Sequence, residues 1–440
     1  MSLVPSFVDL LQPLSGVMTT PTFQSWLTLL CGWVFARRHT ITGMILAAGA
    51  ASGAKHHSAY HRLLAAARWS LDELGLAVAQ LLIAAQPPDA PIVLAVDDTL
   101  CRKHGRKRLY GAGMHHDPLI SSRKMDVCNW GHSWVIVGVV LRFPFCPQRH
   151  WCCPILFGLY RSKQTVQREG GSYRTRPQLA VQLLKLLCDR YPSRRFHALA
   201  DMAYGGQSVL KHLPLNCDLT SRLLLDARLV DDPLPRRAGQ RGRTPLRGKP
   251  LPSPRKMLGQ RAMRLRRKTY GRDDCLRVIE RQARLYHVPQ RKVKIVVAES
   301  LRGSRCVRAY YSTLNNATAT AVLDAYAMRF SIEQTIQDAK GQLGFEQPQN
   351  WSPDAVRRTA PTAMLLYTLI VWWFSHCGGR RHWQPPLRPW YRAKRTPSFI
   401  DMLATLRCQS IVMEFNQGAP PGQGENKSMK TLLYLLQQAA

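Results

Sequence analysis

The stretch YAMRFSIEQTIQDAK, from Tyr326 to Lys340, contains the residue pattern on which the predicted fold and function of the chain mainly depend. It lies in a proline-free run, Thr318 to Gly341, which predicts a single helix. Successive residues of an α-helix are turned by about 100° around its axis. Four polar side chains therefore share an arc of roughly 60°, namely Tyr326, Arg329, Glu333 and Lys340. Such an edge suits a cleft, but it equally suits a surface helix in which Arg329 and Glu333 form an i, i+4 ion pair.

The chain has 440 residues, which is enough for two or three domains with a sizeable core. Its 62 Lys and Arg residues outnumber 27 Asp and Glu residues, giving a formal net charge of +35. This surplus favours a polyanionic partner, although ribosomal and membrane-surface proteins are equally basic. The twelve cysteines contain no C-x-x-C pair, which argues against a zinc module and against a disulfide scaffold. We therefore expect a protein of the reducing cytoplasm.

One apolar run, APTAMLLYTLIVWWFSHC from Ala360 to Cys377, is a candidate membrane span. Its length is borderline, because a bilayer crossing needs roughly 20 apolar residues. A polar helical segment, SPDAVRRT, leads into it. We therefore expect a buried helix that covers a sheet, and no membrane partner. No P-loop motif is present, so no nucleotide partner is expected either.

Residues 1–90 have a helical pattern that ends at the linker Pro87-Pro88. Two short helices about a glycine-containing turn have the outline of a helix-turn-helix, so this region is expected to bind DNA. Any small helical bundle contains such pairs, and that alternative stays open. The second helix would present Lys55, His56, His57, Tyr60 and Arg62 near its start.

From Pro91 onward, short apolar runs rich in β-branched residues predict buried strands. The first is PIVLAVDD, which ends in Asp97 and Asp98. HSWVIVGVVLRFP and PILFGLYR follow as the second and third strands, and RPQLAVQLLKLLCDRYP predicts an amphipathic helix. FHALAD is the fourth strand and ends in Asp201, while CDLTSRLLL is the fifth.

The segment from Leu234 to Arg272 contains fourteen Lys or Arg residues and no acidic residue. It is rich in Pro and Gly, so by itself it should be disordered or form an extended arm. We expect this arm to bind DNA phosphates, with a solvated loop as the alternative. The candidate contacts are Arg264, Arg266, Arg267 and Lys268. The following residues, up to Thr313, have a strand pattern.

The intervals within the opening stretch resemble those of a known family. Tyr-(2)-Arg-(3)-Glu-(6)-Lys is the signature of bacterial insertion-sequence transposases of the DDE type, and Tyr326, Arg329, Glu333 and Lys340 match every interval. The resemblance covers roughly Ile92 to Trp373. It implies an α/β fold with a ribonuclease H-like catalytic core, whose order of three strands, helix, strand, helix and strand is the order found here. It also implies a β-rich insertion between the second and third catalytic carboxylates.

The resemblance implies that Asp98, Asp201 and Glu333 are catalytic and bind metal. Strand alternation leaves Asp97 and Asp98 undecided, but the family's aspartate stands immediately before a threonine, which selects Asp98 before Thr99. Three carboxylates suit two-metal catalysis by Mg²⁺, which Mn²⁺ should be able to replace. The other members of the signature, Tyr326, Arg329 and Lys340, are expected to bind DNA beside the scissile bond.

The predicted organisation has five parts. They are a helical DNA-binding region at 1–90, the first part of the core at 91–225, a basic β-rich insertion at 226–311, the second part of the core with the glutamate helix at 312–378, and a C-terminal tail region at 379–440 with helices at 398–407 and 427–438. Such a transposase would cut DNA at the ends of its own element and join them to target DNA. We expect it to act as a homodimer on DNA in the bacterial cytoplasm, associated with the nucleoid. The alternatives are a related metal-dependent nuclease, such as a junction resolvase, and a domesticated, non-catalytic DNA-binding regulator.

Overall fold

The structure is a computed structural model, and it describes most of the chain. The described residues are 2–49, 55–104, 108–122, 124–235, 243–269, 272–301, 306–385 and 394–418.

The described part of the chain has a mixed α/β architecture. Its α-helices are α1 (Pro5–Leu11), α2 (Thr20–Phe35), α3 (Ile41–Ala47), α4 (Ser58–Ala65), α5 (Leu71–Ala84), α6 (Lys163–Glu169), α7 (Arg176–Arg190), α8 (Gln207–Leu210), α9 (Pro254–Met257), α10 (Ala319–Met328), α11 (Phe330–Gln342), α12 (Pro353–His376) and α13 (Phe399–Gly418). Its strands are β1 (Ile92–Arg102), β2 (Gly113–His116), β3 (Cys128–Arg142), β4 (His150–Tyr160), β5 (Phe196–Ala200), β6 (Cys217–Leu223), β7 (Leu229–Val230), β8 (Pro250–Leu251), β9 (Met263–Thr269), β10 (Arg272–Leu285), β11 (Val288–Ser300) and β12 (Val307–Ser312). Short 3₁₀ helices cover Gln12–Val17, Met202–Tyr204 and Gly379–His382.

The chain forms two compact units. Unit 1 consists of Met1–Ala85, Asp98–Arg174 and Ile332–Ala440, and unit 2 of Gln86–Asp97 and Thr175–Ser331. Strand β1 therefore contributes residues 92–97 to unit 2 and residues 98–102 to unit 1.

The core of unit 1 is built on the antiparallel pair of β3 and β4, with β2 on the other side of β3. The apolar run of β3 is buried on both faces, which is why its sequence is continuous rather than alternating. Helix α12 packs on β4, and Thr368 Oγ1 donates a hydrogen bond to Pro154 O at 2.8 Å. The expectation of a buried helix covering a sheet is thus confirmed. No helix in the described ranges is long and apolar enough to cross a membrane.

The N-terminal part of unit 1 is helical, as its sequence pattern predicts. Helix α2 contacts both α3 and α4, and the rings of Trp26 and Trp33 are fully buried between the helices. Tyr60 on α4 is also buried, so its ring packs in this core rather than facing outward. The glycine-containing turn at 50–54 lies outside the described residues. DNA binding by this region stays a prediction.

Unit 2 contains the parallel strands β1, β5 and β6, followed by the antiparallel strands β12, β11 and β10. The predicted strands FHALAD and CDLTSRLLL are confirmed as β5 and β6. VLAVDD is confirmed as part of β1, but this strand continues past Asp98 to Arg102 instead of ending there. Helix α7 begins where predicted, because Thr175 and Gln178 form a capping box. A hydrogen-bonded row of buried polar side chains, His197, Thr220 and Ser312, crosses β5, β6 and β12.

The expectation of a disordered or extended basic arm is wrong for the described residues between 243 and 269. They contain β8, α9 and β9. Strand β9 pairs with β10, from Met263 opposite Val278 to Thr269 opposite Arg272. The composition of the segment by itself favours disorder, but the backbone groups of β9 are paired by β10, most of which follows the basic segment. Residues 236–242 and 270–271 of this segment lie outside the described residues.

The single helix predicted from Thr318 to Gly341 is also wrong, because α10 and α11 meet at Arg329. The backbone N–H of Arg329 donates to Tyr326 O at 3.2 Å, three residues back instead of four, which tightens the last turn of α10. No proline or glycine marks this position. The side chain of Arg329 is buried at this junction.

The predicted C-terminal helix at 398–407 is confirmed as the first half of α13, which continues to Gly418. The second predicted helix, at 427–438, lies outside the described residues.

Candidate active site

Arg329 and Asp97 form a buried ion pair within unit 2. Arg329 Nη1 donates a hydrogen bond to Asp97 Oδ2 at 2.8 Å, and the Arg329 side chain is only 6% exposed. The guanidinium also lies over two rings, 4.6 Å from the centroid of Phe330 and 5.4 Å from that of Tyr326. The Asp97 carboxylate is thus engaged by a protein cation, and the choice of Asp98 as the catalytic member of the pair stays a prediction.

Tyr326 is part of a buried apolar cluster on α10 and the neighbouring strands. Its ring lies 4.8 Å from that of Tyr310, and the cluster includes Val278, Val296 and Leu323. Burial raises the pKa of Tyr326 above its ordinary value, so the phenol stays protonated near neutral pH. Both side chains are buried, so neither the cleft-facing edge expected at Tyr326 and Arg329 nor the alternative of a surface helix describes these two residues. Contact of either residue with DNA stays a prediction.

Asp201 directly follows β5 and caps the 3₁₀ turn that comes next. Its Oδ1 accepts hydrogen bonds from the backbone N–H of Ala203 at 2.8 Å and of Tyr204 at 3.4 Å. Ser221 Oγ donates to the Asp201 carbonyl at 2.7 Å, and Tyr311 Oη donates to Gly205 O at 2.7 Å. These bonds from β6 and β12 hold the loop, so the carboxylate is presented by a rigid segment.

The register of β1 and β5 bears on which aspartate accompanies Asp201. The last registered pair is Val96↔Ala200 in a parallel arrangement. Continuing this register by one residue places Asp97, not Asp98, level with Asp201. Alternation then directs the Asp98 side chain to the opposite face of β1. The register thus places Asp97 beside Asp201, although the Asp97 carboxylate is also bound by Arg329.

Glu333 lies in the first turn of α11, and its side chain is exposed. The opposite side of this helix is packed in unit 1, because Ile332 and Ala339 are fully buried and Thr335 Oγ1 donates to Cys152 O at 2.9 Å. Lys340 stands on the same face as Glu333, since seven residues are almost two full turns. Its ammonium group contacts the protein, with Leu100 O at 2.7 Å. A contact of Lys340 with DNA stays a prediction.

The donor set suits a hard divalent cation, because carboxylate oxygens are the ligands that Mg²⁺ prefers. Asp98 and Glu333 belong to unit 1 and Asp201 to unit 2. Nowhere in the described part of the chain do three or more His, Cys, Asp or Glu side chains form a group that could hold a metal ion. The three carboxylates are therefore candidates by chemistry and by chain position, without a formed metal cluster.

The basic residues predicted to contact DNA lie on β9, and they differ in how exposed their side chains are. Arg264 and Arg266 are exposed, while Arg267, on the opposite face of the strand, is mostly buried. Arg267 Nη2 lies 2.8 Å from Asp324 Oδ1 on α10. The backbone of Lys268 continues the strand, but its side chain lies outside the described part. Arg264 and Arg266 are thus better placed than Arg267 to contact a partner.

Two further charged residues, Lys103 and Glu346, make contacts that no sequence pattern predicted. Lys103 is partly buried and donates from Nζ to Glu346 O and Pro348 O, both at 2.7 Å. Glu346 in turn lies 2.8 Å from Lys340 Nζ. Neither residue belongs to a motif. The partners of Lys103 are more than two hundred residues away in the chain. No local pattern would have found them.

Comparison with known proteins bears directly on these positions. A family model described as DDE superfamily endonuclease matches residues 13–277, which is more than half of the chain. The matched region includes both Asp98 and Asp201 and ends before Glu333. No curated protein matches the chain. From the extent of the family match, the chain belongs to the DDE superfamily endonucleases.

Proposed function

We propose that the chain is a DDE transposase, which cleaves DNA at the ends of its insertion sequence and joins them to target DNA. Membership of the endonuclease family supports a nuclease activity with DNA as the partner. The step from nuclease to transposase rests on one observation, the complete Tyr326, Arg329, Glu333 and Lys340 spacing, which lies downstream of Asp98 and Asp201. A net charge of +35 supports a large phosphate-rich substrate.

A ribonuclease H-like core is part of this proposal. It is supported in unit 2 by the parallel neighbours β1, β5 and β6, with Asp201 at the end of β5. It is supported in unit 1 by the antiparallel pair β3 and β4, and by α11, which carries Glu333. The strands β7 to β12 supply the β-rich insertion that the family resemblance implies.

In this proposal Asp98, Asp201 and Glu333 are the catalytic carboxylates, and Mg²⁺ is the cation, with Mn²⁺ as a substitute. Such cations, when bound, activate the attacking hydroxyl and stabilise the leaving oxygen. The chain's own contribution is to present the carboxylates on packed elements. Ser221 and Tyr311 hold the Asp201 loop, and Thr335 holds the helix of Glu333. The exposed arginines of β9, Arg264 and Arg266, are proposed to bind phosphates, and the active species is proposed to be a homodimer on DNA.

The test uses the full chain and linear DNA that carries the sequences flanking its coding region, where inverted repeats are expected. Asp98→Asn, Asp201→Asn and Glu333→Gln should each lower Mg²⁺-dependent cleavage by more than about 100-fold, beyond the 10–100-fold typical of outer-shell residues. DNA affinity should stay within about twofold of the wild type, since the contacts to phosphate remain. Asp189→Asn, at an exposed position of α7, is the matched control.

Each outcome has a definite meaning. Cleavage without joining of the cut ends would make the chain a nuclease of this family rather than a transposase. Binding of DNA by the wild type without any cleavage would make it a regulator. An Asp98→Asn variant that still cuts, together with an inactive Asp97→Asn variant, would transfer the first catalytic position to Asp97.

A further inference from the structure

Lys340 is attached to strand β1 by its ammonium group. Lys340 Nζ donates a hydrogen bond to the backbone carbonyl of Leu100 at 2.7 Å and lies 2.8 Å from Glu346 Oε1. The side chain is 20% exposed, so most of its stem is covered by protein. An ammonium group has three donors, and two of them are thus used within unit 1.

A second lysine holds the segment that carries Glu346. Lys103, three residues after Leu100, is partly buried and donates from Nζ to Glu346 O and to Pro348 O, both at 2.7 Å. Burial lowers the pKa of Lys103, and the two carbonyl oxygens compensate for part of the lost hydration. Lys103, the residue after β1, therefore holds the chain after α11 at Glu346 and Pro348.

The turn that ends α11 makes this arrangement possible. Gly344 has φ of 58°, in the left-handed region that favours glycine, and the backbone N–H of Phe345 donates to Ala339 O at 3.2 Å. This helix ending reverses the chain, which returns Glu346 to the side of α11 that carries Lys340. A Cβ atom at Gly344 would lie 2.4 Å from His39 Nδ1, so the turn has no room for another residue type.

The contact lies close to two proposed catalytic residues along the chain. Asp98 precedes Leu100 by two residues on β1, a rise of about 6.6 Å. Glu333 precedes Lys340 by seven residues on α11, a rise of about 10.5 Å on the same face. A bond between Lys340 and Leu100 therefore fixes the strand that presents one carboxylate against the helix that presents the other.

We propose that Lys340, Glu346 and Lys103 form a positioning lock that sets the placement of Asp98 relative to Glu333. Lys340 is then a positioning residue of the transposase rather than a DNA contact. This inference rests on the proposed function, because Asp98 and Glu333 are catalytic only within it. Glu346 makes the two roles of Lys340 separable, since a carboxylate belongs in a lock with lysine but repels a phosphate.

The experiment compares Lys340→Met, Glu346→Gln and the double variant with the wild-type full chain. Lys185→Met, at an exposed position of α7, is the matched control for the loss of one positive charge. Cleavage is measured as a function of Mg²⁺ concentration on the flanking-sequence DNA. Affinity for a random-sequence duplex is measured without divalent cations over a range of salt concentrations. Amide hydrogen exchange is followed in peptides that cover residues 98–104 and 340–350.

With a lock, each single variant lowers cleavage by about 10–100-fold and needs more Mg²⁺ for half its maximal rate. The double variant is no worse than the more affected single variant, because both remove the same interaction. Exchange becomes faster in both peptides, and the salt dependence of duplex binding matches that of Lys185→Met.

The lock is refuted when Lys340→Met reduces the slope of log affinity against log salt by about 0.9 more than the control does, while Glu346→Gln cuts normally. That result would make Lys340 a phosphate contact. Unchanged exchange in both peptides would also refute it, whether or not the protein cuts DNA. Failure of the proposed function has a different signature, namely no cleavage by the wild type, or normal cleavage by Asp98→Asn and Glu333→Gln.

Discussion

Arg329 and Asp97 are joined by a hydrogen bond of 2.8 Å from Nη1 to Oδ2, although they lie 232 positions apart in the chain. Asp97 immediately precedes Asp98 on β1, and Arg329 lies four residues before Glu333. Arg329, whose spacing from Glu333 resembles that of a transposase signature, is therefore a buried partner of the strand that carries the first proposed carboxylate.

Loss of this pair should destabilise the protein. Arg329→Met leaves the Asp97 carboxylate without its buried cation, and we expect the free energy of unfolding to fall by about 3 kcal/mol. The double variant Arg329→Met with Asp97→Asn should recover part of the loss, because it leaves no unpaired charge. Denaturant titrations measure both effects, with Arg190→Met at an exposed position of α7 as the control. Normal stability of Arg329→Met with weakened DNA binding would instead make Arg329 a DNA contact.

Substitutions of the β9 arginines should affect DNA binding or stability according to the face of the strand on which each arginine lies. The double variant Arg264→Gln and Arg266→Gln removes two exposed cations, so the slope of log affinity against log salt should decrease by about 1.8. Arg267→Gln should leave the slope unchanged and lower stability, since Arg267 is paired with Asp324. Titrations of duplex binding at several salt concentrations decide between these results. Equal slopes in all three proteins would mean that β9 does not bind DNA.

The loop after Asp201 should not tolerate a methyl group at Gly205. A Cβ there would lie 2.2 Å from Ser221 Oγ, which donates to the Asp201 carbonyl. Gly205→Ala should therefore displace Ser221 and reduce cleavage by about 10–100-fold, as for other residues that orient a ligand. Gly206→Ala is the matched control, because nothing lies within 4 Å of its added Cβ. Similar cleavage rates for the two variants would show that the Asp201 loop is not held as described.

Stability should decrease in acid through His197. Burial lowers the pKa of His197 to about 4, below the value of about 6.5 expected in the unfolded chain. The unfolded state then binds more protons between these two values, so stability falls as the pH is lowered from about 6.5 to about 4, by up to about 3 kcal/mol. His197→Gln lacks this proton, and its stability should depend less on pH in that window. Parallel pH profiles for the two proteins would show that the His197 side chain is hydrated.

The sequence by itself determined the elements whose signals are local. The strands β1, β5 and β6, the helix α7 and the buried helix α12 follow from apolar runs, capping residues and flanking prolines, all within a few residues of each element. The order of Asp98, Asp201 and Glu333, and the signature spacing around Glu333, also belong to the sequence.

Only the tertiary structure decided what the charged residues contact. The break of the long helix at Arg329, the pairing of β9 with β10, and the attachment of Lys340 to Leu100 depend on groups that are distant in the chain. A charge pattern shows which residues carry charge, but whether a cation meets solvent, a phosphate or a carboxylate depends on what folding brings beside it. For this reason Arg329 and Lys340, which the helical pattern placed on one polar edge of a single helix, have protein partners on β1.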